Sequence, residues 1–349
     1  MRLALVLALA AALAVAATAY GHGTASGVPH GFHPETAAAI GKRDLWILGW
    51  YRCKPHQPGC VVLIRSTDAG RHFTRAAMPP LSTLNTPTLE FTSPRVGYAA
   101  EAGSRLYVTH DGGNRWRPRS PAGVSYFTMA GGDVYALFSR SRFGRSALGR
   151  SAWHAVKLPA GLRLVSLAAR GNRVWLLGST RQIRAGDVTL RSADRGATFR
   201  RSHAPCIPDL GGRLVPAGDR VVWAVCPSGM MAGLTLSTNG GRTFPRYRSF
   251  HDPGGTSLPT MTNGAGIFPS STRAAVVYLG ASGPLYRTTD MGRHWISVSG
   301  TGRLEQLMWA GFATSRVGVG LFTTRSHPNQ ASLWRTTDGG ATWHSVPIR

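Results

Sequence analysis

One eight-residue pattern, Ser/Thr-x-Asp-x-Gly-x-x-Phe/Trp, recurs along the chain, and no other feature restricts the fold as severely. Its first copy reads Ser66-Thr67-Asp68-Ala69-Gly70-Arg71-His72-Phe73 and its second Thr109-His110-Asp111-Gly112-Gly113-Asn114-Arg115-Trp116. Further copies run from Ser192 to Phe199 around Asp194, from Ser237 to Phe244 around Asn239, from Thr288 to Trp295 around Asp290, and from Thr336 to Trp343 around Asp338. Intervals between the acidic positions are 43, 83, 45, 51 and 48 residues. The interval of 83 is nearly two periods. The segment from Ser146 to Trp153 falls in that gap, keeping the first and last residues with Leu148 and Arg150 in place of Asp and Gly. Seven units are therefore expected.

Each unit carries the same grammar: a strand, a second apolar strand, a variable loop, a third strand, the eight-residue turn and a fourth strand. Second strands include Leu45-Trp46-Ile47-Leu48-Gly49-Trp50, Val174-Trp175-Leu176-Leu177-Gly178 and Val221-Val222-Trp223-Ala224-Val225, β-branched and aromatic runs bounded by turn formers. Glycine (43) and proline (22) are abundant enough to argue against long helices. Hydrophobic residues at 43% leave enough to bury a core. Four strands per unit at this period describe a propeller blade, and propellers hold about 4–8 blades. The expectation is an all-β, seven-bladed β-propeller of four-stranded antiparallel blades over residues 35–349, closed by side-chain packing between units one and seven.

The turn pattern has a physical basis. An Asp side chain accepts hydrogen bonds from nearby backbone amides, Gly tolerates positive φ, and the terminal aromatic packs between sheets. The pattern resembles the Asp-box, or bacterial neuraminidase repeat, of sialidases and other β-propellers. In families that share it, the box joins strands three and four at the rim, away from the ligand face. The resemblance therefore implies structural roles for Asp68, Asp111, Asp194, Asn239, Asp290 and Asp338. Two longer phrases narrow it: Phe91-Thr92-Ser93-Pro94-Arg95-Val96-Gly97-Tyr98 before Leu106-Tyr107-Val108-Thr109, and Phe312-Ala313-Thr314-Ser315-Arg316-Val317-Gly318-Val319-Gly320 before Leu333-Trp334-Arg335-Thr336. These are similar to the photosystem II stability/assembly factor family. That family's exported seven-bladed propellers imply a binding or assembly role.

The first residues read as a secretory leader: Met1-Arg2, an apolar run from Leu3 to Ala17, then Ala17-Thr18-Ala19 before Tyr20. Residues 1–19 are expected to be removed and 20–34 to form a flexible segment before the propeller. With no later stretch apolar enough to span a bilayer, the mature chain is expected outside the cytoplasm, secreted or in the cell envelope. Four cysteines in an exported chain suggest two disulfides, the proximal pairing being Cys53–Cys60 with Cys206–Cys226, while two other connectivities stay open. Neither His56 nor His203 completes a zinc spacing with them. No phosphate loop, nucleophile elbow or metal constellation occurs, so no cofactor and no metal are expected.

Lysine and arginine total 40 against 15 acidic residues, a formal charge of +25 that should attract anionic polymers or surfaces. The strand two-to-three loops, which share one propeller face with the blade-to-blade connections, are basic. They hold Arg52 and Lys54; Arg140, Arg142 and Arg145, with Phe143 available to stack on a ligand; Arg181 and Arg184; and Arg325. Arginine forks grip carboxylate and phosphate bidentately. The expected partner is an anionic protein surface or envelope polymer. The leader ranks nucleic acid lower. Oligomeric state is not readable.

The alternative is a sialidase-type glycoside hydrolase. A glycosidase needs two carboxyl groups about 5–9.5 Å apart. Glu90 and Glu305 begin first strands, while Asp209 and Asp252, with Tyr247 nearby, lie in loops entering first strands. The Phe/Tyr-Arg-Ile-Pro signature of bacterial sialidases is absent, only four Glu occur, and sialidase propellers have six blades. A non-catalytic binding module is the reading carried forward.

Overall fold

The computed structural model describes residues 27–53, 59–81, 87–139, 141–179, 188–206, 212–245, 258–259, 261–262, 264–280, 285–299, 301, 304–324 and 327–349, with backbone only at 305 and 327–330. Every regular element among them is a strand. Blade one holds β1 (His33–Ile40), β2 (Asp44–Tyr51), β3 (Cys60–Ser66) and β4 (Thr74–Ala76). Blade two holds β5 (Thr88–Phe91), β6 (Gly97–Ala100), β7 (Tyr107–Thr109) and β8 (Arg117–Pro118). Blade three is β9 (Tyr126–Ala130), β10 (Asp133–Ser139), β11 (Arg142–Ala147) and β12 (His154–Val156). Blade four is β13 (Arg163–Arg170), β14 (Arg173–Ser179), β15 (Val188–Ser192) and β16 (Arg200–His203). In blade five come β17 (Arg213–Pro216), β18 (Val222–Ser228), β19 (Met231–Ser237) and β20 (Met261–Thr262). Blade six has β21 (Gly266–Pro269), β22 (Ala275–Tyr278), β23 (Leu285–Thr288) and β24 (Ile296–Ser297). Blade seven ends the chain with β25 (Leu304–Phe312), β26 (Gly318–Thr324), β27 (His327–Thr336) and β28 (His344–Val346).

All seven sheets pair their strands in chain order and antiparallel. Each inner strand lies against the inner strand of the next blade, and β25 lies against β1, so the seven blades close a ring around a central channel. Strand β1 begins at His33, two residues before the expected boundary, with Phe32 already buried.

The core is seven separate clusters, one between each pair of neighbouring blades. Every cluster contains the terminal aromatic of one eight-residue turn, from Phe73 at the seam of blades seven and one to Trp343 between six and seven. Second-strand tryptophans reach across the same interfaces. Trp46 stacks on Phe91 at 3.8 Å and donates its indole N–H to the carbonyl of Gly112 at 3.1 Å. Trp175 does the same to Gly240 at 2.9 Å. At the ring's seam the cluster joins Ala37, Ile47 and Ile64 of blade one to Val319, Leu321 and Leu333 of blade seven, so closure is by packing.

The turns explain the recurrent sequence atom by atom. In the six full copies the first hydroxyl donates to the third side chain at 2.6–2.9 Å. The same oxygen accepts the fifth residue's amide at 2.7–2.9 Å. The third side chain's Oδ1 then accepts the seventh amide at 2.9–3.0 Å. Positions four and five are both left-handed, with φ from 59° to 99°, although only position five is uniformly glycine. Ala69, Arg195 and Met291 hold position four against that preference. In the degenerate copy Ser146 donates instead to carbonyl oxygens of Ala147 and Arg150, and Leu148 packs into the interface of blades two and three.

Candidate functional site

Register defines levels along the channel. The first residue of each turn faces the start of the second strand, as Leu45 faces Ser66 and Val222 faces Ser237. Three residues further along that second strand, the inner-strand partners are Thr36, Thr88, Tyr126, Ser166, Arg213, Gly266 and Trp309. These seven form one ring near the end where the chain enters each inner strand. That end is opposite the eight-residue turns, on the face that also bears the strand two-to-three loops. Glu90 belongs to the level two residues deeper.

Glu90, Tyr126 and Arg213 are described groups at this mouth that carry charge or a transferable proton. Glu90 extends from blade two toward blade three and accepts the amide of Met129 at 3.1 Å and the Thr128 side chain. Burial pushes its carboxyl up to about 7, against the opposing pull of those two hydrogen bonds. Tyr126 retains 41% of its surface. Surrounding protein and the Glu90 carboxylate nevertheless push its phenol up to about 12, with Arg213 pulling the other way. Arg213 extends from blade five toward blade six, where Gly266 makes room for it: a Cβ there would come 3.1 Å from the guanidinium. Burial lowers the Arg213 pKa and the Tyr126 phenol raises it. Among the described residues no carboxylate forms an ion pair with Arg213. Among the described residues, a cation and a phenolic donor at one level, with the neutralisable acid Glu90 below them, suit an anionic group entering from the mouth.

Of the residues singled out from sequence, Arg52 and Arg142 are exposed on this face, Arg142 lying over the Phe138 ring at 5.9 Å. Arg145 points elsewhere, donating to the carbonyl of Arg195 in blade four at 2.7 Å. Phe143, expected to be free for a ligand, is buried in the interface of blades three and four because strand alternation turns it inward. Lys54, Arg140, Arg181, Arg184, Arg325, Asp209, Tyr247 and Asp252 lie outside the described residues, as does the side chain of Glu305. The carboxylate pairs considered for hydrolysis therefore reduce, in the described structure, to Glu90. Sequence reading missed Tyr126 and Arg213. Their signal is position: each opens an inner strand, which becomes legible only once the seven registers are aligned.

The two disulfides are Cys53–Cys60, across the blade-one loop of this face, and Cys206–Cys226, tying the connection from blade four to β18. They suggest an oxidising, extracytoplasmic location. No helix of the described residues is long and apolar enough to cross a membrane. Among the described residues no group of His, Cys, Asp and Glu is arranged to hold a metal ion.

Comparison with known proteins places the architecture. No protein-family model matches the chain. It is 29% identical over 167 residues to a xyloglucanase of Hypocrea jecorina, a match covering 45% of this chain and 16% of that enzyme's length. Among solved structures it is similar to YCF48 bound to D1 peptide, with a TM-score of 0.50 and 15% identity over 75% of this chain and 77% of that one. YCF48 from Cyanidioschyzon merolae gives a TM-score of 0.48 and 17% identity over 74% and 78%. The GH74 xyloglucanase from Xanthomonas campestris gives 0.35 and 13% over 90% and 72%. At such identities the likeness is one of fold.

Proposed function

We propose that this chain is an exported, non-catalytic binding or assembly module that holds an anionic segment of a protein partner or envelope polymer at the upper mouth of its channel. The observation that carries this reading is Arg213, a cation in the channel wall at the same level as Tyr126 and, among the described residues, with no carboxylate paired to it. Charge accounting supports it. Asp68, Asp111, Asp194, Asp290 and Asp338 are committed to the turns, where their role is to build the scaffold. Asp44 and Asp133 pair with Arg65 and Arg195, and Glu35 takes the Trp50 indole N–H at 2.9 Å. Arg52 and Arg142 are exposed on this face, and among the described residues neither forms an ion pair with a carboxylate. A fold-level relative that holds a peptide, YCF48, supports a peptide as the occupant. In this reading residues 1–19 direct export and are removed.

The test is capture of envelope material by the mature domain. Arg213→Glu combined with Arg142→Glu is expected to abolish recovery, and unchanged recovery rejects this mouth as the site. Two observations support the hydrolase reading, the sequence match to a xyloglucanase and the raised Glu90 carboxyl. Xyloglucan hydrolysis by the wild type that vanishes in Glu90→Gln supports it, and no hydrolysis by either protein removes it.

A further inference from the structure

The opposite face carries a second, independent arrangement of charge. There the strand one-to-two turns form an inner ring around the channel. Their tip carbonyls belong to Arg43, Arg95, Arg220, Arg273 and Arg316 in five blades. Each of these carbonyls accepts the amide of position four of its own blade's eight-residue turn, at 2.7–2.9 Å. One repeated backbone bond thus sets five arginines at equivalent turn tips around the ring, and all five are exposed. Blade four continues the ring with Arg170 and Arg173 around Asn172, whose carbonyl takes the same bond from Arg195 at 2.8 Å. In blades two, six and seven the tip is further fixed by Ser93, Ser271 and Thr314, whose hydroxyls accept the amides of Arg95, Arg273 and Arg316.

Outside this ring, Arg71, Arg115, Arg242 and Arg293 project from the eight-residue turns and are exposed. In three of these turns Asp68, Asp111 and Asp290 accept backbone amides through Oδ1, and Asp68 and Asp290 also meet the exposed His72 and His294 rings through Oδ2, while the Arg242 turn has the uncharged Asn239. Asp44 is paired with Arg65, which leaves Asp219, beside Arg220, as the exposed acid of the inner ring. Among the described residues none of Arg95, Arg220, Arg273 and Arg316 has a side-chain partner. We infer that this face docks flat on an anionic lipid bilayer.

The shape selects the partner. A linear polyanion is served by a stripe or a groove, whereas charges at equivalent turn tips around a disc meet a plane together. Single-stranded nucleic acid calls for exposed aromatic platforms between the cations. Here the aromatic ends of the turns are packed into the blade interfaces. Each arginine near an anionic leaflet contributes about 1 kcal/mol, equivalent to a fivefold change in partitioning.

The experiment is co-sedimentation with vesicles of phosphatidylglycerol in phosphatidylcholine, against vesicles of phosphatidylcholine alone. Wild type is expected to bind the former and not the latter, with affinity falling as salt rises. The triple variant Arg95→Gln, Arg220→Gln, Arg316→Gln is expected to lose about a hundredfold. The charge-matched variant Arg117→Gln, Arg200→Gln, Arg201→Gln, altered on exposed outer strands, is expected to lose less than about tenfold. Equal losses, or no preference for phosphatidylglycerol, overturn the proposal. So does tight binding to heparin or duplex DNA without vesicle binding, which assigns the face to a soluble polyanion. Circular dichroism of both triple variants verifies folding. Because the Arg213 mouth is untouched in these variants, failure here is distinguishable from failure of the binding reading above.

Discussion

Replacing Glu90 by glutamine probes the channel wall with a change of one charge and almost no change of shape. The glutamine oxygen still accepts the Met129 amide that Oε2 holds at 3.1 Å. In the folded protein the Glu90 carboxyl titrates near 7, raised from its ordinary 4.5 chiefly by burial. A folded pKa above the unfolded one means that the group's stabilising contribution is complete below pH 4.5 and is lost as pH rises through 7. The withdrawn stability is about 3 kcal/mol as an upper figure, since water reaches part of the side chain. Urea unfolding of wild type and Glu90→Gln across this range isolates the effect, because every other titrating group is common to both. The glutamine variant is expected to match wild type near pH 4 and to exceed it by about 2–3 kcal/mol near pH 8. A difference that stays constant with pH refutes a desolvated Glu90, and with it the described geometry of the mouth.

Acid tests the turns. Burial opposes ionisation of Asp194, but hydrogen bonds from Ser192 and Thr198 outweigh it and hold the carboxyl down at about 2, with Asp290 and Asp338 also lowered. Their contribution is complete above about pH 4 and lost below it, so circular dichroism should show unfolding on acidification that Asp194→Asn shifts to higher pH. Met291, at φ 63°, is expected to gain about 0.5–1 kcal/mol on replacement by glycine. Gly340→Ala, at φ 89° and against the Val276 side chain, is expected to lose more than about 2 kcal/mol in the same denaturation assay. Removing Cys206–Cys226, which spans 20 residues, should cost about 3 kcal/mol, against about 2 for Cys53–Cys60, which spans 7. Paired Cys→Ala variants measure both.

The blade count was legible because the turn chemistry is local. A hydroxyl, a carboxylate and a left-handed glycine must stand at fixed spacing for the amides of one short turn to be satisfied. The degenerate third copy was legible from its interval and its retained Ser146 and Trp153. Two things depended on long-range packing and were not legible. Phe143 and Arg145 sit in a basic stretch that reads as a ligand loop, yet pairing of β11 with β10 turns Phe143 into the core and sends Arg145 to blade four. Tyr126 and Arg213 share no local motif, and only the aligned registers bring them to one level. The phrase Ser93-Pro94-Arg95 stood out as a mark of family likeness. Its role in holding an arginine at a turn tip emerges from the Gly112 amide bond to the Arg95 carbonyl.

Hydrogen–deuterium exchange with and without a hexaglutamate peptide tests most directly where an anionic segment binds. Added protection of β9 (Tyr126–Ala130) and β17 (Arg213–Pro216) is expected, and none once Arg213 is replaced by methionine. Protection confined to the eight-residue turns or the outer strands, unchanged by that replacement, contradicts that expectation.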